Sequence, residues 1–146
     1  MDPINLLISI LTFAGAIPFI IATFGIIITQ SSFYLFALIG YGAVIQSFIS
    51  GMHWGISLEV ERSVKTLLIS IVFSLLSFLS ILFYKIPSIA LLIQLFSFNM
   101  LYLIDVYIVN EDAYPNQYII TRQIITGIVT AILIINLILI NIITIN

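Results

Sequence analysis

Five apolar runs, each long enough to cross a membrane, account for nearly the whole chain. A helix needs about 20 apolar residues to cross the roughly 30 Å hydrocarbon core of a bilayer. The runs occupy residues 5–29, 33–58, 64–84, 87–109 and 118–143. Because 62% of the residues are hydrophobic and only 7% are charged, the chain cannot cover the surface of a soluble globule. The sequence therefore predicts one all-α domain over residues 1–146, a five-helix membrane bundle surrounded by lipids.

The charged and reactive residues exclude several classes of function. The chain has no cysteine, which rules out disulfides, iron–sulfur clusters held by this chain and a thiol nucleophile. A lone histidine is too little for a metal site, which needs several nitrogen or sulfur ligands. Four basic against six acidic residues form no basic patch, so we expect no nucleic-acid partner. The sequence has no G-x-S-x-G or S-x-x-K motif, and we therefore expect no enzymatic activity and no catalytic residues.

The few basic residues predict the orientation of the chain in the membrane. Arg62, Lys65 and Arg122 flank the side that also holds the N-terminus, whereas the other side has only Lys85. Cytoplasmic segments carry an excess of lysine and arginine. We therefore predict that the N-terminus lies inside, in the cytoplasm or matrix, and the C-terminus outside.

The second run carries two neighbouring stripes of non-aliphatic residues. At about 100° per residue on an α-helix, four polar residues share one face: Gln46, Ser50, His53 and Ser57. Beside them, small residues recur at every fourth position: Ala43, Ser47, Gly51 and Gly55. This small-residue ridge follows the pattern by which two transmembrane helices approach backbone to backbone. We therefore expect this helix to lie at the centre of the bundle.

Three ionisable residues lie at one level of the predicted bundle. His53, Asp105 and Arg122 are each four or five residues inside the same membrane face, roughly 6–8 Å deep at about 1.5 Å per residue. A charge at that depth is costly unless it finds a partner. We therefore predict an Asp105–Arg122 ion pair that joins the fourth and fifth spans, with His53 nearby. A staple of the fold is the favoured interpretation, and a role in binding or proton handling stays open.

Gln46, Ser50 and Trp54 complete the polar cluster that we predict as a binding or structural site. Trp54 lies near the end of its span, which is typical of an interfacial anchor. His53 is most simply satisfied by a neighbouring carbonyl or carboxylate. It could hold a haem only if a partner chain supplied the other axial ligand, and otherwise we expect no cofactor and no metal.

Local features predict where spans bend, end and touch. Gly15 and Pro18 predict a kink in the first span. The charge-dense segment 59–65 predicts a solvated loop. In the third span, polar residues at spacings of four and three predict packing contacts with a neighbouring helix; they are Ser70, Ser74 and Ser77.

Three segments resemble a known family of small membrane proteins. Residues 11–19, LTFAGAIPF, are similar to its opening L-x-x-A-G-x-I-P-F. Residues 41–55, YGAVIQSFISGMHWG, are close to its signature Y-G-A-V-I-x-S-F-x-G-G-x-H-W-G. Residues 115–126 resemble its P-x-W-Y-x-x-L-R-x-x-L-T, and Arg122 is among the matching positions. The family is called transmembrane protein 69, or DUF3429, and is found in bacteria and mitochondria.

The resemblance covers most of the chain and has limited functional content. The chain departs from the family pattern at Ser50, where the family has glycine, and at Gln117 and Thr121, where it has tryptophan and leucine. The resemblance implies a five-span inner-membrane protein whose important residues lie at one face. It implies no particular activity.

Two functions are consistent with these features. The first is a non-catalytic accessory or assembly subunit of a larger membrane complex, such as a respiratory-chain complex, with other integral membrane subunits as partners. The second is a small binding or transport module in which His53, Asp105 and Arg122 handle a proton, a quinone, a lipid head group or an anion. The expected location is a bacterial inner membrane or the mitochondrial inner membrane.

Overall fold

The computed structural model describes residues 3–61, 63–107 and 116–142, and these residues form helices and short turns without any strand. Six α-helices follow one another, and a π-helical turn, Ser57–Glu61, extends the third. The helices are α1 (Pro3–Ala14), α2 (Ile17–Thr29), α3 (Ser32–Ile56), α4 (Val64–Leu82), α5 (Pro87–Tyr107) and α6 (Asn116–Ile142).

Five segments of the described chain are long and apolar enough to cross a membrane. They are Leu6–Thr29, Ser32–Glu59, Val64–Leu82, Pro87–Tyr107 and Tyr118–Ile142. Each coincides with a predicted span to within two residues, apart from positions 108, 109 and 143, which lie outside the described residues. The prediction of an all-α membrane bundle is therefore confirmed.

The first span consists of two helices, α1 and α2, separated by a break at Gly15 and Ala16. Pro18 lies in the first turn of α2, where the missing N–H of proline costs nothing because no helical partner is available for it. The hydroxyl of Tyr41 donates a hydrogen bond of 3.0 Å to the Gly15 carbonyl. A side chain from α3 thus satisfies backbone at the break, and the predicted kink is confirmed.

A tight turn joins α2 to α3 and makes the two helices antiparallel neighbours. Gln30 adopts the left-handed conformation at φ 52°, and the Ser31 hydroxyl caps α3 by accepting a hydrogen bond from the Phe33 N–H. Gly25 lies directly against the Tyr34 ring, and a Cβ at this position would come within 2.3 Å of that ring. The two helices can therefore pack closely near the turn.

The connection between α3 and α4 is shorter than predicted. The segment 59–65 was expected to be a solvated loop, yet helical structure continues to Glu61 and resumes at Val64. Ser63 caps α4 by accepting from the Thr66 N–H. Glu59 and Glu61 therefore lie in the π-helical turn and Lys65 lies in the first turn of α4, while Arg62 lies outside the described residues.

Helix α3 lies at the centre of the bundle, as predicted from its sequence, and packs against α2, α4 and α5. Helix α6 packs against α1, α2 and α5 and completes the bundle. Phe19 lies in the core and forms edge-to-face contacts with Tyr41 and Phe98. Most other large apolar side chains, Phe48 and Leu75 among them, point outward, as expected where lipid rather than water surrounds the protein.

Because the chain has no cysteine, single introduced cysteines can test its orientation directly. Glu59 and Lys85 are exposed at opposite ends of α4 and its flanking turns. In intact cells or mitoplasts, we expect a membrane-impermeant maleimide to label Lys85→Cys and to reach Glu59→Cys only after permeabilisation. The opposite labelling pattern would reverse the predicted orientation.

Candidate functional site

A buried cluster of three ionisable side chains joins three helices at one end of the bundle. His53 Nε2 donates a 2.6 Å hydrogen bond to Asp105 Oδ1, and Arg122 Nε donates a 3.1 Å hydrogen bond to Asp105 Oδ2. All three residues are at most 4% exposed. The predicted Asp105–Arg122 ion pair is confirmed, and His53 contacts its carboxylate directly. We refer to these residues as the ionic cluster.

The ends of three helices bring the ionic cluster together. His53 lies in the last turn of α3, Asp105 in the last turn of α5 and Arg122 in the second turn of α6. The C-terminal end of a helix carries partial negative charge and disfavours a carboxylate. Asp105 is therefore stabilised there by the Arg122 guanidinium and by the His53 N–H rather than by its own helix.

The π-helical turn begins at Ser57, four residues after His53 and directly after the end of α3. Ser57 Oγ donates a 2.8 Å hydrogen bond to the His53 carbonyl, where the backbone hydrogen-bonding pattern changes from α to π. Short π-helical segments often occur at functional sites. Here the π-helical turn continues α3 to Glu61, and the last α-helical turn of α3 presents His53 to Asp105.

Two nitrogens of the ionic cluster have no hydrogen-bond partner among the described residues. They are His53 Nδ1 and Arg122 Nη2, and both are buried. The hydroxyl of Thr126, one turn after Arg122 on α6, is also buried and has no hydrogen-bond partner among the described residues. Buried polar groups are nearly always hydrogen-bonded, so these atoms are the places where a water molecule or a ligand would be stabilised.

The geometry does not fit haem ligation by His53. The imidazole is fully buried, and its Nε2 is engaged by Asp105. An iron at Nε2 would have to displace that carboxylate, and the other ring nitrogen, Nδ1, is itself buried inside the bundle. Among the described residues, no group of three or more His, Cys, Asp or Glu side chains could hold a metal ion.

Gln46 belongs to a different network from the one the sequence indicated. Its Nε2 donates a 2.8 Å hydrogen bond to the Gln94 carbonyl, and its Oε1 accepts from Ser77 Oγ at 3.3 Å. Gln46 lies seven residues before His53 on the same face of α3. The predicted polar stripe is therefore real, but its two ends serve separate helix contacts.

Gln94 is the centre of this second network, which we call the amide network. Its Nε2 donates a 2.6 Å hydrogen bond to the Ile39 carbonyl and a 3.2 Å hydrogen bond to Ser80 Oγ. The amide lies directly against Gly42, where a Cβ would come within 2.3 Å of Gln94 Oε1. The sequence indicated neither the hydrogen bond from Gln94 to Ser80 nor the contact that requires glycine at position 42.

Asparagines of α5 and α6 form further links between helices. Asn136 Nδ2 donates a 2.8 Å hydrogen bond to Thr23 Oγ1 and joins α6 to α2. Asn99 Nδ2 donates a 3.0 Å hydrogen bond to Thr130 Oγ1 and joins α5 to α6. Hydrogen bonds of this kind contribute about 0.6 kcal/mol each on average in membrane proteins. No periodicity in the sequence indicated these pairs, because single polar residues in an apolar helix do not reveal their partners.

The small-residue ridge on α3 is not a continuous contact surface within the chain. Ala43 is buried and Ser47 is half-buried, but Gly51 and Gly55 are exposed. A Cβ at either glycine would meet nothing within 4 Å among the described residues. The ridge turns outward along α3, because the polar stripe rather than the ridge faces the core near His53.

Trp54 and Ser50 lie beside the ionic cluster rather than within it. The Trp54 side chain is 41% exposed at the lipid-facing surface near the end of the span. Ser50 is only 1% exposed, and its hydroxyl has no hydrogen-bond partner among the described residues. Both residues line a groove between α3 and α4.

Comparison with known proteins establishes the family of this chain. Residues 5–138 match the sequence model of the family described as "Protein of unknown function (DUF3429)". The chain belongs to the DUF3429 family. The match covers most of the 146 residues and does not extend to the narrower name transmembrane protein 69. No curated protein and no solved structure gives a significant match.

The three segments that resemble DUF3429 each supply a contact of the bundle. The first contains Gly15 at the break between α1 and α2, whose carbonyl accepts from Tyr41. The second contains His53, and the third contains Arg122. Residue 115, at the start of the third segment, lies outside the described residues. The DUF3429 resemblance and the buried contacts therefore point to the same positions.

Proposed function

We propose that this DUF3429 protein is a non-catalytic integral membrane protein that acts as an accessory or assembly subunit of a larger membrane complex. A respiratory-chain complex of a bacterial inner membrane or of the mitochondrial inner membrane is the assembly that we place first. The observation that supports the proposal most is the pairing of intramembrane polar groups across helix contacts. Asp105, Gln46 and Gln94 all bind side chains or backbone of neighbouring helices.

Polar groups used in this way favour a structural role over a solute pathway. A channel or transporter needs polar groups that face an open passage. In the described chain, the buried amides are hydrogen-bonded between α3, α4 and α5, and the ionic pair joins α5 to α6. Large apolar side chains are exposed along every described span. What the bundle offers to its surroundings is therefore a helical surface within the membrane.

The ionic cluster favours a second candidate function, a small binding module. His53 Nδ1 and Arg122 Nη2 are buried and have no partner among the described residues. The imidazole nitrogen can form a hydrogen bond, and the guanidinium nitrogen carries part of a positive charge. Intramembrane ionisable residues are functional candidates by default. A proton, a quinone, a lipid head group or an anion is the matching class of ligand.

Native purification distinguishes the two functions. We expect a tagged chain extracted in mild detergent to co-purify with other integral membrane subunits in stoichiometric amounts, as measured by mass spectrometry. An absorbance spectrum of the same sample records any cofactor that the assembly carries. The untagged strain is the control. Recovery of the chain alone, or with only a small molecule, would contradict the subunit proposal and would favour the binding module.

Arg122→Gln tests the ionic cluster in both functions. In a structural pair, the substitution lowers yield and thermal stability, and partner recovery falls only as far as folded protein falls. In a ligand site, it abolishes binding in a protein that still folds. The measurement is the recovered partner or ligand per folded chain, with folded chain quantified by size-exclusion chromatography.

A further inference from the structure

A groove between α3 and α4 lies on the lipid-facing surface of the bundle. Its volume is about 240 Å³, and the residues that line it include Ser47, Ser50, Gly51, Trp54, Ser70 and Ser74. The groove exists because five of its lining positions, on two adjacent helices, are serine or glycine. Gly51 is open to it, since a Cβ there would meet nothing within 4 Å among the described residues. We refer to it as the α3/α4 groove.

The buried end of the α3/α4 groove carries a hydroxyl that lacks a partner. Ser50 is 1% exposed, and its Oγ forms no hydrogen bond with any described residue. Ser70 lies across the groove on α4, and its hydroxyl donates a 2.7 Å hydrogen bond to the Leu67 carbonyl. The Ser70 oxygen can still accept a hydrogen bond. An unpaired buried hydroxyl costs about 1–3 kcal/mol. A molecule that brought a donor or acceptor to Ser50 would recover that energy.

The lining determines the chemistry of such a molecule. None of the residues that line the α3/α4 groove is charged, so an anionic or cationic head group would lose its hydration without gaining a partner. Hydroxyls from both helices offer hydrogen bonds, and Ile71 and Leu75 supply apolar contact. The surrounding outer surface faces lipid. The matching ligand is an uncharged, lipid-soluble molecule with a carbonyl or hydroxyl on its head.

We propose that the α3/α4 groove binds the head of an uncharged lipid-soluble molecule through Ser50, with Trp54 at its rim. This site is separate from the ionic cluster and goes beyond the proposed subunit function. Membrane quinones and diacylglycerols share the required chemistry, because each has carbonyl or hydroxyl oxygens on an uncharged head and an apolar tail. The tail would extend along the exposed face of α3 and α4.

The size of the α3/α4 groove favours such a head over a transmembrane helix. A cavity of about 150 Å³ can hold a benzene ring, so 240 Å³ admits one ring with its substituents or an ester head. A helix with its side chains is about 10–12 Å across and could insert only a single side chain. A helix backbone would also bring no free N–H to Ser50, because its amides are bonded within the helix.

Trp54 provides a direct measurement of binding. It is the only tryptophan of the chain, and it lines the α3/α4 groove. We would titrate purified protein in lipid nanodiscs with a short-chain benzoquinone and, separately, with a short-chain diacylglycerol, and record Trp54 fluorescence. We expect a saturable change in emission with at least one of the two probes. The probe that saturates identifies the source of the head group.

Matched variants separate the α3/α4 groove from non-specific partitioning. Gly51→Leu fills the groove and should abolish the saturable change. Gly127→Leu makes the same substitution at an exposed glycine of α6 and should leave it unchanged. Ser50→Ala removes the hydroxyl and should weaken binding about three- to tenfold, as expected for one net hydrogen bond. Ser74→Leu, at an exposed position of the groove, fills it independently if Gly51→Leu does not fold.

Three outcomes would overturn the proposal. One is a non-saturating response to both probes. Another is an identical response in folded Gly51→Leu or Ser74→Leu, which would assign the emission change to probe dissolved in lipid. The third is a change of oligomeric state in Gly51→Leu without any loss of probe binding, which would assign the groove to a second copy or another helix. None of these results depends on whether the protein co-purifies with partner subunits.

Discussion

Replacement of Asp105 by alanine is expected to lower the free energy of unfolding by about 3–5 kcal/mol, the usual cost of removing one partner of a buried ion pair. The carboxylate accepts from two buried donors, His53 Nε2 and Arg122 Nε. Without it, the guanidinium is left as an uncompensated cation inside the bundle. A loss of this size approaches the whole stability of many domains, so most of the variant should fail to accumulate.

Replacement of Arg122 by glutamine should cost less than Asp105→Ala. The remaining carboxylate still accepts the 2.6 Å hydrogen bond from His53 Nε2, so it keeps one of its two buried partners. When Asp105 is removed instead, the Arg122 guanidinium loses its ion-pair partner. The double variant Asp105→Ala with Arg122→Gln should therefore be more stable than Asp105→Ala alone, because it removes the unpaired charge.

Unfolding in mixed detergent micelles, followed by far-ultraviolet circular dichroism, measures these differences. Glu59→Ala is the matched control, since Glu59 is an exposed acid on the same side of the bundle, and a surface change should stay within about 0.5 kcal/mol. Equal losses for Asp105→Ala and Arg122→Gln would contradict the stabilising role of the hydrogen bond from His53. A double variant no more stable than Asp105→Ala would show that the ion pair does not account for the cost.

The sequence predicted the features that depend on a single helix or on depth in the membrane. The spans follow from runs of apolar residues, and the break at Gly15 follows from Pro18. The Asp105–Arg122 pair could be predicted because both residues lie at the same depth beside one short connection. A charge in lipid has so few ways to be satisfied that its partner can be inferred.

Other features depend on how each helix is rotated about its own axis, and the sequence does not contain that information in a simple form. A helix that is apolar on every face gives no clear indication of which face turns inward. The bond from Asn136 of α6 to Thr23 of α2 is of this kind. The partner of Gln46 could not be predicted, because serine, glutamine and carbonyl groups on several helices were equally available.

The amide network leads to the second large effect, a loss of stability when Gly42 is replaced by alanine. The added Cβ would lie 2.3 Å from Oε1, 2.8 Å from Cδ and 3.0 Å from Nε2 of Gln94. The whole amide must therefore move away from α3. Its hydrogen bonds to the Ile39 carbonyl and to Ser80 break or lengthen. Leaving a buried amide unsatisfied costs about 1–3 kcal/mol, and we expect Gly42→Ala to lose that amount.

Gly40→Ala is the matched control on the same helix, because a Cβ at Gly40 would meet nothing within 4 Å among the described residues. Alanine is favoured over glycine in a helix interior by up to about 1 kcal/mol, so this control should be neutral or slightly stabilising. The two substitutions are chemically identical and lie two residues apart. A difference in their unfolding free energies therefore reports the contact with Gln94 rather than helix propensity.

The contact between Gly42 and Gln94 also predicts that the effect of Gly42→Ala on the free energy of unfolding changes sign when Gln94 is replaced. In the Gln94→Ala background, the amide that blocks the Cβ is absent, so the cost of Gly42→Ala should vanish and the helix propensity of alanine should remain. Four proteins complete the cycle: the parent, the two single variants and the double variant, each unfolded as described for Asp105. An unchanged cost in the Gln94→Ala background would place the clash elsewhere and would remove Gln94 as the reason that α3 has glycine at position 42.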